Sequence, residues 1–203
     1  MLSENGKTSQ VAAAMMVATR SRKPNMPAQQ IQKFHLGRLE TPIGTALLVT
    51  DDQGVLRALD WSDYEARLHR LLRRHYGDYA LEKAPAPKGI IAALTGYFAG
   101  DLGQLNTIKW RTNGTPFQRK VWSELPKVRA GKTSSYGAFA SKLNLPNSAR
   151  AVGLANGANP VSVVVPCHRL IGADGSLTGY GGGLARKEWL LAHEGAVFKR
   201  LEQ

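Results

Sequence analysis

Between Asn159 and Arg169 the chain reads N-P-V-S-V-V-V-P-C-H-R. Val161 to Val165 is an apolar run broken by one serine, and it stops at Pro166. A run of this kind belongs in a core, and proline cannot donate to a central strand's ladder. The next residue therefore stands at a strand end or in a tight turn, a location that exposes a side chain at the rim of a core. That residue is Cys167, the only cysteine of 203 residues, and His168 and Arg169 follow it. A lone cysteine forms neither an internal disulfide nor a cysteine-rich zinc site. The fold is thus expected to need no structural metal or cofactor and to suit a reducing cytoplasm. The length fits one or two small domains with a sizeable core. No segment approaches the ~18 uninterrupted apolar residues of a membrane span.

The net charge of +12 is unevenly spread. Residues 34–114 hold ten Lys/Arg against nine Asp/Glu, whereas residues 115–203 hold twelve against five. The basic excess lies in the segment with Cys167 and in the first 33 residues. This suits a polyanionic partner such as nucleic acid, and suits a well-solvated surface equally.

Residues 1–30 read as a disordered tail with one short apolar patch, Val11–Ala18, that lacks the flanks of a clean signal peptide; acid-poor and arginine-bearing, the stretch also fits an organelle presequence. From Phe34 the pattern becomes strand-like: F-H-L-G-R-L-E and T-A-L-L-V-T around a Pro/Gly turn, then V-L-R-A-L-D-W. Ser62 is placed to cap a helix with Leu68, Leu71 and Leu72 on one face. Y-A-L-E reads as a short strand and Lys88–Phe98 as a second helix. The segment 101–114 reads as a linker with a candidate strand, T-I-K-W-R. His35, His69 and His75 read as surface or packing histidines.

Past Gly114, Thr115 at N-cap and Pro116 at N1 open a helix carrying Phe117, Val121, Trp122 and Leu125. Two short helices follow around N-L-P, the second, N-S-A-R-A-V-G-L-A-N-G, capped by Asn147 or Ser148. In a basic region this suits a helix-turn-helix. The Gly/Ala-rich second helix can approach another backbone, or simply pack closely in a core. The expected fold is mixed, α/β or α+β: a small amino-terminal α/β domain over 31–110 and a mainly helical domain with a helix-turn-helix over 111–203.

A free cysteine is most often a small buried hydrophobe. At a rim, however, His168 and Arg169 would be cationic company that lowers a thiol pKa. His168 is the nearest base, yet neighbouring side chains point apart in extended chain. A water relay resolves this, and it needs an acceptor to orient the imidazole. Glu194, at the end of A-R-K-E-W-L-L-A-H, is a candidate, although by itself it reads more readily as a cap or salt-bridge partner. Trp189, in an amphipathic helix, reads as a core aromatic; Tyr136 also fits a core position, and Arg150 by itself reads as an ordinary exposed arginine.

P-C-H-R with its preceding N-P-V, the downstream G-Y-G-G-G-L-A-R-K-E-W-L-L-A-H-E-G, and the upstream G-T-P-F-Q-R-K-V-W and S-A-R-A-V-G-L-A-N-G together resemble the 6-O-alkylguanine-DNA alkyltransferases. The resemblance covers nearly all of 114–195 and implies a ribonuclease H-like amino-terminal domain. It implies that Cys167 accepts an alkyl group, that His168 activates it through water, that Glu194 orients His168, and that Asn159 braces the turn. It also implies that Tyr136 crowds the target nucleotide, that Arg150 fills the space of a flipped base, and that Tyr180 and Gly181 close the alkyl pocket. The partner implied is double-stranded DNA with alkylated bases, 6-O-alkylguanine first and 4-O-methylthymine second. A single turnover by a monomer, with no membrane and no required protein partner, completes the expectation. Leu170 stands where valine is commoner in the family. The zinc-binding cysteines of some relatives' amino-terminal domains are absent here. Two other readings remain: a non-catalytic damage-binding module of the same fold, and a thiol hydrolase using Cys167 and His168.

Overall fold

The computed structural model of the protein describes residues 31–201; the expected tail, 1–30, lies outside them. The apolar alternation after residue 31 produces an antiparallel meander of β1 (Gln32–Thr41), β2 (Gly44–Thr50) and β3 (Leu56–Trp61). At the turn after β2, Asp51 accepts the backbone N–H groups of Gln53 and Val55 at 3.0 and 2.9 Å, the local bonding that makes aspartate a turn former. Strand β4 (Tyr79–Lys83) joins β1 in parallel, giving the order β3-β2-β1-β4. A parallel partner requires a crossover, and α1 (Glu65–Tyr76) supplies it. Successive residues of β2 serve opposite faces. Leu47 and Val49 join Leu68 and Leu72 of α1. Ala46 and Leu48 join Ile90, Ala93, Leu94 and Tyr97 of α2 (Lys88–Phe98) on the other face.

Three local expectations change. Ser62 does not cap α1, because a 3-10 turn, Ser62–Tyr64, comes between them and makes no side-chain cap. T-I-K-W-R is not a strand: Gln104–Thr107 is a 3-10 turn, and Trp110 makes only an isolated bridge to Leu56. Neither Asn147 nor Ser148 caps the second short helix. Ser148 occupies the cap position with no side-chain bond, while Asn147 takes a left-handed φ of +65°, which asparagine tolerates.

The helical half begins with α3 (Pro116–Glu124) behind a full capping box. The Thr115 hydroxyl accepts the Gln118 N–H, and the Gln118 side chain accepts the Thr115 N–H. Ser135 caps α4 (Tyr136–Lys142). The turn 143–148 leads to α5 (Ala149–Gly157), completing the helix-turn-helix, and α6 (Leu184–His193) closes the segment. A short parallel pair that the sequence did not signal, β5 (Ser134–Ser135) with β6 (Leu170–Ile171), ties the start of α4 to the chain just past Cys167.

One core unites the two expected domains: Leu48, Leu59 and Tyr97 share a cluster with Trp122, Phe139, Val161 and Val165. Strand β3 lies at the sheet edge, and its unpaired groups are used there. The Leu59 N–H donates to Pro160 O at 2.9 Å, and Leu59 O accepts from the Ser162 N–H at 3.0 Å.

Candidate active site

The Val161–Val165 run is a succession of tight turns, not a strand. Val164 N–H donates to Ser162 O, Val165 N–H to Val161 O, and Cys167 N–H to Val165 O, at 2.8, 3.0 and 2.7 Å. Val163 has φ +68°, a left-handed conformation that a β-branched residue adopts at a cost of about 1–3 kcal/mol. Burial of Val163 and Val165 in the core holds it there. Asn159 adds a second restraint: its side chain accepts the Val161 N–H at 3.0 Å and donates to Val165 O at 2.9 Å.

Cys167 opens a 3-10 turn, Cys167–Arg169, and is only 3% exposed. The expected exposure at the rim is therefore overturned. The chain folds back under α5, whose Asn156 donates to Cys167 O at 3.0 Å. Burial raises the Tyr136 and Tyr180 hydroxyl pKa values, and a thiolate at Cys167 would raise them further. In this 3-10 turn successive side chains point about 120° apart rather than to opposite sides, and no direct hydrogen bond joins His168 to the sulfur.

His168 is fully buried. Its Nε2 lies 3.0 Å from Glu194 Oε1. With a carboxylate as acceptor, Nε2 carries the proton, and Nδ1 presents a lone pair. Nδ1 is buried with no hydrogen-bond partner. Burial pushes the His168 pKa down, against the pull of Glu194, so the ring is neutral and basic at neutral pH. Burial would raise Glu194, but His168 and Arg169 outweigh it and hold the carboxyl well below its usual range. Arg169 donates to Glu194 from Nε and a terminal nitrogen at 2.9 and 2.8 Å, and to Val128 O at 2.6 Å. Tyr97, from α2, donates its hydroxyl to Glu194 Oε1 at 2.8 Å, and burial keeps that hydroxyl protonated.

The expected cationic company of the thiol is corrected in turn. His168 is neutral, and Arg169 is committed to Glu194. Burial pushes the Cys167 thiol pKa up, and the opposing influences are the Asn159 side chain, Arg67 and Lys187. Lys187 is itself brought down to about 8 by burial, against the attraction of Cys167. It donates to Leu170 O and Thr178 O at 2.6 and 2.7 Å.

Cys167, His168, Glu194, Asn159, Tyr136 and Tyr180 thus converge. Gly181 lies against the Arg67 guanidinium, which a Cβ there would overlap. Arg150 stands apart, exposed in the first turn of α5. The outer face of that helix also carries Ala151, Leu154 and Gly157, and its small residues are not a packing requirement. A Cβ at Gly153 would make ordinary contact with Tyr136, and one at Gly157 would meet nothing within 4 Å. Arg67, Tyr97 and Lys187 were not found from sequence, because helical periodicity makes Arg67 a face residue and Tyr97 and Lys187 core or solvent-facing positions. Among the described residues no cluster of His, Cys, Asp and Glu would hold a metal ion, and no helix is long and apolar enough to cross a membrane.

A small mixed sheet packed on a helix-turn-helix, with one thiol beside a neutral histidine, defines a class, and comparison with known proteins agrees on it. Residues 35–111 match the family model "6-O-methylguanine DNA methyltransferase, ribonuclease-like domain", and residues 116–196 match "6-O-methylguanine DNA methyltransferase, DNA binding domain". The methylated-DNA--protein-cysteine methyltransferase of Salmonella typhimurium is 49% identical over 160 residues, covering 78% of this chain and 94% of the relative. A Mycobacterium tuberculosis O6-methylguanine methyltransferase crystal structure is 37% identical with a TM-score of 0.65, covering 80% of this chain and 93% of that one. The Mycobacterium tuberculosis OGT structure in complex with DNA is 38% identical with a TM-score of 0.67, over 79% and 92%. The chain belongs to the 6-O-methylguanine DNA methyltransferase family.

Proposed function

We propose that this protein repairs alkylated DNA by direct reversal, moving the alkyl group of 6-O-alkylguanine onto Cys167. The observation that carries this reading is a buried Cys167 followed by a buried His168 whose Nε2 is held by a fully bonded Glu194 and whose Nδ1 is left without a partner. A thiol of ordinary pKa is only a few per cent thiolate at neutral pH, and burial makes this one weaker still. A base is therefore required, and His168 Nδ1 offers the lone pair. Glu194 fixes the tautomer through Nε2. Because Arg169 and Tyr97 already satisfy the carboxylate, Glu194 orients the ring without forcing it to stay protonated.

The Cys167 proton passes, through water, to His168. The thiolate attacks the alkyl carbon in line, a carbon–sulfur bond forms, and the carbon–oxygen bond breaks. The electron pair leaves on guanine, whose developing charge the Tyr136 hydroxyl stabilises by donation. The product thioether has no hydrolytic route back, so each molecule turns over once. The same displacement applies to 4-O-methylthymine.

The target atom is inside a duplex and the sulfur inside the protein, so the nucleotide is flipped out, at a cost of a few kcal/mol. Arg150 fills the vacated space. The low-bulk outer face of α5 lies along the minor groove, where inserted side chains are a familiar device. Tyr180 and Gly181 close the alkyl pocket. Contacts are chiefly to the backbone, which suits damage at any sequence. The protein acts as a monomer in the reducing cytoplasm, with no required protein partner.

The test is incubation with duplex DNA carrying radiolabelled 6-O-methylguanine. Label should move to protein, up to one per chain, and mass spectrometry should find it on Cys167. Cys167→Ser should abolish transfer while DNA binding stays near wild type. Binding with no transfer, or release of label to solvent, would overturn the reading.

A further inference from the structure

The active-site turn is held from the sheet side by a charged pair that this chemistry does not use. Asp60, at the end of β3, and Arg67, in α1, meet at 2.5 Å between Oδ2 and a terminal guanidinium nitrogen. Asp60 is fully buried and Arg67 nearly so. Asp60 also accepts the Trp61 N–H at 3.1 Å. The other terminal nitrogen of Arg67 donates to Gly157 O and Asn159 O, each at 3.1 Å. Gly157 ends α5, and Asn159 is the residue whose side chain pins Val161 and Val165. One guanidinium thus joins the sheet, the end of the helix-turn-helix and the entry to the thiol turn. It also occupies the space that keeps position 181 a glycine.

We propose that Arg67 is a positioning residue for Cys167: its planar fork fixes the Gly157 and Asn159 carbonyls at the entry to the turn, and its charge, metered by Asp60, is the amino-terminal half's contribution to the electrostatics of the sulfur. The proposal deepens the alkyl-transfer reading and rests on it. Arg67, paired with Asp60, and Lys187 from α6 act on Cys167 together with Asn159 from the turn; Tyr136 from α4 and Tyr180 from the glycine loop would feel a thiolate there, Asn156 from α5 holds the Cys167 carbonyl, and His168 follows it in the 3-10 turn. His168 and both tyrosines are neutral, so Arg67 and Lys187 are the two cations of this set. Arg67 favours the thiolate. Burial pushes the Asp60 carboxyl up, and the guanidinium opposes this. Lys187 is held by carbonyls alone. Only the Arg67 charge has a partner whose removal would strengthen its field.

That difference yields variants of opposite sign. The pH dependence of Cys167 alkylation by iodoacetamide is measured alongside single-turnover methyl transfer from 6-O-methylguanine in a duplex, with melting curves as the structural control. Arg67→Met should raise the pKa of the rate profile by about one unit, a loss of about tenfold at neutral pH. Asp60→Asn should lower it, leaving Cys167 more reactive than wild type at acid pH. Both should melt earlier. Arg67→Lys should keep the profile near wild type but lower the plateau rate, because a single ammonium cannot replace the fork.

Unmoved profiles, or Arg67→Met and Asp60→Asn profiles shifted the same way, overturn the proposal, for then the pair only stabilises. If Arg67→Met does not fold, Asp60→Asn and Arg67→Lys decide by the same criteria. Wild-type protein that reacts with iodoacetamide but takes no methyl group from the lesion would sink the alkyl-transfer reading while leaving the role of Arg67 testable.

Discussion

Replacing Glu194 by glutamine is the sharpest test of the Cys167–His168–Glu194 chain, because it keeps shape and removes charge. Glu194 accepts four hydrogen bonds: from Tyr97, from His168 and two from Arg169. An amide brings one oxygen and one donor nitrogen, so at least one of those donors loses its acceptor. Arg169, buried, loses its counter-charge. Breaking a buried pair from one side costs about 3–5 kcal/mol. For a chain of this size each kcal/mol moves Tm by about 2–4 °C, so Tm should fall by about 6–20 °C. The effect on rate has a separate cause. Glu194 opposes the downward push of burial on His168, so its loss leaves a weaker base even where the amide oxygen still accepts from Nε2. Positioned general-base catalysis contributes about 10²–10⁴-fold, and methyl transfer should slow by at least about 100-fold. Rapid-quench single-turnover transfer and circular dichroism melts measure the two effects separately. Glu194→Gln with Arg169→Met should recover much of the stability, since no buried charge is stranded, and little of the rate. A Glu194→Gln rate within about threefold of wild type, alongside the lowered Tm, would refute the role of Glu194 in the chemistry.

Arg150→Ala should leave stability within about 0.5 kcal/mol of wild type, as expected for an exposed residue, yet weaken lesion binding and slow transfer from duplex more than from single-stranded DNA. Affinity for duplex should fall linearly in log Kd with log salt, and each Lys or Arg of the basic half that meets a phosphate should reduce that slope by about one when replaced. Gly181→Ala should lower Tm and shift the thiol pH profile in the direction of Arg67→Met, because its Cβ displaces the guanidinium; a mass-tagged titration of Cys167 reads this. Acid should unfold the protein in two stages. His168 has a folded pKa below 6.5, so the unfolded chain binds its proton first and stability declines as pH drops through that value. Glu194 is held below 4.5, so its contribution is complete above that value and is lost as pH falls toward its folded pKa. Glu194→Gln should remove the second stage, which urea melts at stepped pH would detect.

Tyr97, Arg67 and Leu59 give the amino-terminal half a direct part in the site. It carries neither the thiol nor the base, yet it donates to Glu194, holds two carbonyls at the entry to the thiol turn and pairs with the Pro160–Ser162 segment. Truncation of that half would strip all three supports at once. The shared core, in which Tyr97 and Leu59 pack with Trp122 and Val165, would be lost with them.

Much of this was legible along the chain because the signals are local. The unbroken apolar run A-L-L-V marks a strand buried on both sides, and Thr115-Pro116 writes a helix start. Cys167, His168, Asn159 and Glu194 sit in motifs that can be read in order. What could not be read depends on where distant segments meet. Tyr97 and Glu194 are 97 positions apart, and Arg67 and Asn159 are 92 apart; no periodicity encodes such a pairing. The depth of Cys167 belongs to the same category. A proline after a valine run announces that the chain turns, but whether the sulfur then meets solvent or protein depends on what packs over the turn, and here that is α5 and the tyrosines of two other segments. Chemical type is a property of the residue and survives in one dimension. Protonation state, burial and the sign of the local field are sums over neighbours in space, and the folded chain alone supplies them.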